Sequence, residues 1–165
     1  MQLQDFYDYK NRLMQDLLTN ETIVNLINDT VSIEDARSLV YSQVFPFEYV
    51  PETIQEAKTY ICVDVDIDKS LNKTFLLPTL YVWVFTHKSK LRLPEGGVRT
   101  DKLCSEIALA INGSRYYGLG ELNLYSVKRF APQTDYQGKV LIFHAKEFNR
   151  QFDPTKPVPA NRKDN

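Results

Sequence analysis

Residues 60–88 read YICVDVDIDKSLNKTFLLPTLYVWVFTHK, and the fold turns on how this stretch is divided. From Tyr60 to Asp68, two sets of residues alternate strictly. Ile61, Val63, Val65 and Ile67 face one way; Cys62, Asp64, Asp66 and Asp68 face the other. That period of two predicts a half-buried strand with one wet or interfacial face. Leu80 to Lys88 predicts a second strand, rich in branched and aromatic residues. Its faces, Leu80, Val82, Val84 against Tyr81, Trp83, Phe85, His87, are both apolar, as in a strand that is central or covered on both sides. Pro78 marks its beginning.

Toward the N-terminus the period changes to that of helices. Phe6, Tyr9, Leu13 and Leu17 form a stripe over 5–18. Asn20 is placed to cap a second helix with Ile23, Val24, Leu26 and Ile27 as its apolar face. Ser32 and Asp35 resemble a capping box with Asp in place of Glu or Gln, which predicts a short helix from Ile33 to Val40 or Tyr41. FPFEYVP, residues 45–51, reads as an irregular segment pinned by packing.

Toward the C-terminus, the loop LRLPEGGVRT (91–100) leads to a helix from about Asp101 to Ile111. Leu103, Ile107, Ala110 and Ile111 line its inner face, and Asn112-Gly113 ends it. Glu121 to Phe130 and Lys139 to Phe148 predict a third and a fourth strand, joined as an antiparallel hairpin through APQTDYQG. One helix between strands two and three predicts an α+β fold: N-terminal helices plus a mostly antiparallel four-stranded sheet. The expected core includes Ile61, Val63, Val65, Leu80, Val82, Val84, Leu103, Ile107, Leu122, Leu124, Val140 and Ile142. Residues 1–152 form one expected domain. Residues 153–165, with three prolines and no apolar period, are expected to be an extended or disordered tail in the isolated protein.

The 165 residues suffice for one core, and 43% hydrophobic with 25% charged residues excludes wholesale disorder. No apolar run approaches the roughly 18–20 residues that span a bilayer, and MQLQDFYDYK lacks the pattern of a signal peptide. Cys62 and Cys104 are too few for a disulfide scaffold, so a reducing, intracellular setting is expected. The net charge of −1 hides an asymmetry. Residues 1–70 carry five basic and thirteen acidic side chains, or −8; residues 71–165 carry fifteen and eight, or +7. If the halves separate in space, the molecule is a dipole suited to head-to-tail association; if they intermix, the dipole largely cancels.

The residue patterns argue against catalysis. In DVDID, residues 64–68, an EF-hand register would need Gly at Lys69 and Glu at Phe75. A solvated or interfacial strand face is the better reading of Asp64, Asp66 and Asp68. His87 and His144 have no metal-ligand partner at useful spacing, and Gly113, Gly118 and Gly120 do not make a nucleotide fingerprint. No nucleophile–base or acid–base pair can be argued, so neither an enzyme nor a cofactor is expected. The densest basic stretch holds Lys88, Lys90, Arg92, Arg99 and Lys102 against Glu95 and Asp101, with Gly96-Gly97 as a flexible tip. It reads as an ordinary solvated loop or as a phosphate-contacting patch.

The helical N-terminus, FPFEYVPETIQEAKTYICVDVDI (45–67), LYVWVFTHKS (80–89) and GVRTDKLCSEIALAINGSRYYGLGELNL (97–124) together resemble phage and prophage neck proteins, in particular the tail terminators of long-tailed phages. The likeness covers about residues 1–150 as an order of elements. It implies a small α+β subunit of a hexameric ring that caps the tail tube, ends its polymerisation and faces the head connector or a stopper protein. It also implies a virion protein assembled in the host cytoplasm, without cofactor or catalytic residues. In such a ring the loop with five bases against two acids could face a lumen through which DNA passes, by non-specific phosphate attraction. Another connector component, such as a head-closure or stopper protein, and a small non-catalytic module binding nucleic acid or protein are the competing readings.

Overall fold

The computed structural model describes residues 4–51, 57–70, 72 and 74–149. The expected tail at 153–165 lies outside the described residues. The elements run α1 (Gln4–Leu18), α2 (Glu21–Ile27), β1 (Val44–Phe45), β2 (Thr59–Ser70), β3 (Phe75–His87), α3 (Arg99–Ile111), β4 (Asn123–Phe130), β5 (Tyr136–His144) and β6 (Glu147–Phe148). The sheet has the order β1-β2-β3-β5-β4, with β6 also paired to β3. β1 is parallel to β2, and the other pairings are antiparallel. The α+β class and the antiparallel character are as expected; the strand number is six, not four.

The helices pack on one face of the sheet. Tyr9, Leu13 and Leu17 of α1 are buried there with Leu18, and Ile23, Val24, Leu26 and Ile27 of α2 join them. The Asn20 side chain accepts the Ile23 N–H at 3.2 Å, satisfying one of the free donors at the start of α2. From the sheet, Ile61, Val63 and Val65 meet Val84, Val82 and Leu80 across the β2–β3 ladder, all buried on this face. β3 is the central strand, as its two apolar faces predicted.

Several details differ from the sequence reading. The Ser32 hydroxyl accepts the Asp35 N–H at 3.3 Å and donates to the Asp35 carboxylate at 2.9 Å, so the carboxylate meets the hydroxyl and not the Ser32 N–H of a capping box, and the pair leads into a single 3-10 turn, Ala36–Leu39. Pro78 does not begin β3. It lies within the strand opposite Ile67, where the register shifts before Lys69, and its carbonyl accepts the Ala145 N–H at 2.9 Å. A bulge tolerates the missing N–H of proline.

The fourth predicted strand is broken at Ala145 and Lys146. These residues leave the β3–β5 ladder: Ala145 bonds to Pro78, and the Lys146 carbonyl accepts the Leu119 N–H at 2.6 Å. The chain then rejoins β3 as β6, where Phe148 pairs with Phe75. In β5 the expected core parity is reversed. Leu141 and Phe143 face the helices, while Val140 and Ile142 lie on the opposite side with Trp83 and Tyr81. The run VLIF is apolar on both faces, so its period does not say which side is the core. Leu124 packs against the core only partly buried. On α3, Leu103, Ile107 and Ile111 are buried as expected, but Ala110 is exposed, and Cys104, three residues before Ile107 on the same stripe, is buried instead.

A second cluster lies on the far side of the sheet, at one end only. Phe45, Tyr60, Cys62, Phe85 and Tyr136 are buried there, with Tyr49, Trp83 and Phe130 packed against them. Phe45 stacks on Tyr49 at 4.0 Å between centroids, which is how the 45–51 segment is pinned. The buried Gln43 ties this region to α2, donating to the carbonyls of Ile27 at 3.2 Å and Thr59 at 2.9 Å and accepting from Asn28 at 2.9 Å.

Cys62 in this cluster and Cys104 on α3 lie on opposite sides of the sheet, both as free thiols. Burial pushes each thiol up to about 12. At pH 8 roughly one thiol in ten thousand is then ionised, and the thiolate is the reactive form. The folded protein is expected to leave Ellman's reagent essentially unreacted at pH 8 and to titrate two thiols only after denaturation. Rapid native reaction would show that these residues are accessible.

Candidate functional site

Sheet order turns the charge asymmetry of the sequence into a spatial one. β1 and β2, from the acidic half, lie at one edge, and β4, from the basic half, lies at the other. On the side of β2 away from β3, residues 63–70 lie beyond the two-residue pairing with β1 and border no described strand. This free stretch carries Asp64, Asp66 and Asp68. Among the described residues β4 pairs only with β5, and it carries exposed Lys128 and Arg129.

The three acids differ in their surroundings. Asp64 is ion-paired with Lys10 of α1, and its Oδ1 also accepts the Val65 N–H at 2.8 Å. Asp68 accepts the Tyr81 hydroxyl at 3.1 Å. Asp66 is exposed between them. Partial burial, then the charges of Asp64 and Asp68, holds its carboxyl above the ordinary value, with Lys10 opposing. Two like charges two residues away on the same strand make this edge receptive to a cation.

The structure disperses the expected basic patch. Lys88 lies in the 3-10 turn after β3 and pairs with Asp135 at 3.6 Å. Arg99 opens α3 and donates to the carbonyls of Lys90 and Leu26, both at 2.9 Å, so it straps the loop to α2. Lys102 pairs with Glu95 at 2.7 Å in an exposed bridge. Lys90 and Arg92 are exposed, and neither enters an ion pair with a described residue. Gly96-Gly97 forms the exposed tip of a hydrogen-bonded turn. Those two glycines take φ of 98° and 88°, Leu93 donates to the Gly97 carbonyl at 3.1 Å, and the Leu93 side chain is buried. Arg92 instead joins Arg129 and the Lys139–Asp101 pair along a groove of about 580 Å³ between the loop, α3 and the β4 edge.

The sequence reading missed a further surface. On the sheet face away from the helices, no described helix covers the part of β3 and β5 beyond the second cluster. Tyr81 and Trp83 stack at 5.4 Å there, both half-buried. Ile142 and His144 lie beside them on β5, and exposed Tyr125 of β4 stacks on His144 at 4.2 Å. Two buried hydroxyls on this face, Thr79 and Ser126, find no hydrogen-bond partner among the described residues. The alternation Tyr81, Trp83 was visible in the sequence. The contribution of Tyr125 depended on the β4 bulge between Leu124 and Ser126, which alternation alone does not reveal.

Among the described residues no group of His, Cys, Asp or Glu could hold a metal ion, and no helix is long and apolar enough to cross a membrane. What the molecule offers is a pair of oppositely charged sheet edges and an aromatic face. No curated protein matches the chain. The family model named YomW matches residues 9–145, from the first buried tyrosine of α1 to the end of the β5 region, so the chain belongs to the YomW family, a phage- and prophage-type family whose namesake comes from a Bacillus SPbeta-like prophage.

Proposed function

We propose that the protein is a ring-forming subunit of a tailed-phage neck, a tail terminator that caps the tail tube and faces the head connector. The observation that carries this reading is the placement of acidic β2 and basic β4 at opposite edges of one sheet. A surface that is not self-complementary, but complementary to a different surface on the same subunit, builds head-to-tail contacts, and these close into rings. Asp66 and Asp68 of one copy would then meet Lys128 and Arg129 of the next, and the free strand edges offer unpaired backbone groups to the same contact. Membership of a phage-type family is consistent with this role.

Negative-stain microscopy with isolated tail tubes is expected to show the protein as rings on tube ends. Replacing Lys128 and Arg129 with Glu is expected to reduce ring formation at least tenfold at low salt. The difference should narrow as ionic strength rises. Adding Asp66→Lys and Asp68→Lys to that variant reverses both edges and should restore association. Bare tube ends with the unaltered protein would refute the reading.

A further inference from the structure

We propose that the groove between the 91–98 loop, the start of α3 and the β4 edge is a binding site for a single phosphate group, the phosphate monoester of a small molecule about the size of a nucleotide. The site shares only Arg129 with the proposed ring contact and holds whether or not rings form.

The first observation is charge. Arg92, Arg129, Lys139 and Asp101 line the groove. The β4–β5 ladder sets Arg129 opposite Lys139, two residues along from the pair of Val127 and Leu141, so both lie on the sheet face that carries the helices. The bridge between Arg92 and Val98 holds Arg92 beside the first turn of α3. Asp101 is the one acid among the lining residues, and it is already paired with Lys139 at 2.9 Å. Arg92 and Arg129 are exposed, and neither side chain bonds to a described residue. A concave site with two uncompensated guanidinium groups concentrates positive potential.

The second observation is independent of side-chain charge. Val98 occupies the capping position of α3 and has no side-chain acceptor. The Arg99 N–H is taken by the Leu91 carbonyl at 2.7 Å, and the N–H groups of Asp101 and Lys102 both use the Val98 carbonyl at 3.1 Å. The Thr100 N–H has no acceptor among the described residues. Thr100 is only 3% exposed and lines the groove, and its hydroxyl also meets no described partner. Buried polar groups are ordinarily bonded. Here a buried hydroxyl and a free amide stand together at the positive end of a thirteen-residue helix, and both suit an anionic oxygen.

The ligand class follows from the donors and from the shape. Guanidinium groups present forked N–H pairs that match phosphate oxygens, and a monoester carries about −1.5 to −2 charge at neutral pH, enough to balance two arginines. A carboxylate would balance one. The volume of about 580 Å³ falls within the range of about 300–1,000 Å³ for small-molecule sites. Leu91 and Val98 give an apolar wall for the rest of the molecule. A nucleic-acid backbone needs a track of free cations. Lys88, Arg99 and Lys102 nearby are instead tied to Asp135, to backbone carbonyls and to Glu95.

Isothermal titration calorimetry on the full-length protein at low salt tests this with adenosine monophosphate, inorganic phosphate, adenosine and a short DNA duplex. Adenosine monophosphate and phosphate are expected to bind saturably and in competition, and adenosine is expected not to bind. Arg92→Ala should weaken adenosine monophosphate about tenfold or more, as loss of a charged hydrogen-bond donor does. Arg92→Lys should recover only part of that loss, because an ammonium lacks the fork. Thr100→Val, which removes the hydroxyl and keeps the shape, should weaken binding about fivefold. Lys128→Ala, at the β4 position facing the opposite side of the sheet, should leave the affinity unchanged. Absence of saturable heat with both phosphate and adenosine monophosphate at millimolar concentration would overturn the proposal. So would an affinity that Arg92→Ala does not move; Arg92 is exposed, so that variant keeps its fold even if Thr100→Val does not. Duplex binding tenfold tighter than adenosine monophosphate, and lost in Arg92→Ala, would assign the groove to nucleic acid and equally overturn it. Arg92 and Thr100 lie outside the ring contact, so a failure to form rings leaves this result intact, and the reverse also holds.

Discussion

Val82→Asp is expected to abolish the cooperative melt of this protein. Val82 lies at the middle of the central strand, is fully buried, and sits between Val63 and Leu141 in the ladders on either side. Val82 belongs to the main apolar cluster together with α1, α2 and α3 side chains and is shut off from water, so a carboxylate there loses its hydration. An unpaired buried charge costs several kcal/mol, against a total stability on the order of 5–15 kcal/mol for a domain. Circular dichroism should show no unfolding transition, or the variant should be recovered only as aggregate. A companion pair tests the face assignment of β5. Leu141→Asp should be as damaging as Val82→Asp, whereas Ile142→Asp, on the half-open face, should retain a cooperative melt. Equal damage from both would mean that the parity of β5 is wrong.

Gly138→Ala is the second substitution with a large expected effect. Gly138 sits in β5 directly opposite Phe85. A Cβ there would come within 1.8 Å of the Val84 carbonyl oxygen and 2.6 Å of the Phe85 Cα. Both are backbone atoms of the central strand, so no side-chain rotation relieves the overlap. The β3–β5 ladder must shift, and with it the stacking of Phe85 on Tyr60 and its edge contacts with Phe130 and Tyr136. Overpacking of this kind costs about 3 kcal/mol. In a chain of this length each kcal/mol moves the midpoint by about 2–4 °C, so Tm should fall by roughly 10 °C. Gly97→Ala meets no atom within 4 Å and strains only its own φ, so its midpoint should fall much less. Similar midpoints for the two variants would contradict the close approach at Gly138.

The sequence was most legible where one face of an element is apolar and the other is not. The α1 stripe, the Asn20 cap and the Ile61–Val65 face of β2 follow from period and capping chemistry alone, because each is decided within about one turn or a few strand residues. It was least legible where both faces are apolar. Tyr136 to His144 could be read in either parity, and its sidedness is set by pairing with β3. The fourth strand broke because Lys146 pairs with Leu119, a contact that no local signal announces. β1 escaped notice because a two-residue strand is defined by its partner and not by its own propensity.

The candidate surfaces divide in the same way. The acids Asp64, Asp66 and Asp68 were recognisable as one strand face from their spacing, and the −8 and +7 halves from counting. The basic loop was recognisable too, but not its fate. Whether Lys88, Arg99 and Lys102 remain free depends on Asp135, the carbonyls of Lys90 and Leu26, and Glu95, which folding brings to them. By itself, then, the sequence determined the α+β class, the helix-facing surfaces of β2 and β3 and the existence of a charge imbalance, because these rest on short-range period and composition. Only the tertiary structure decided that the imbalance spans the sheet from β2 to β4, and that Tyr81, Trp83, Tyr125 and His144 share one open face. Both depend on strand order and register, which are set by long-range pairing across a sheet whose neighbours are far apart in the chain.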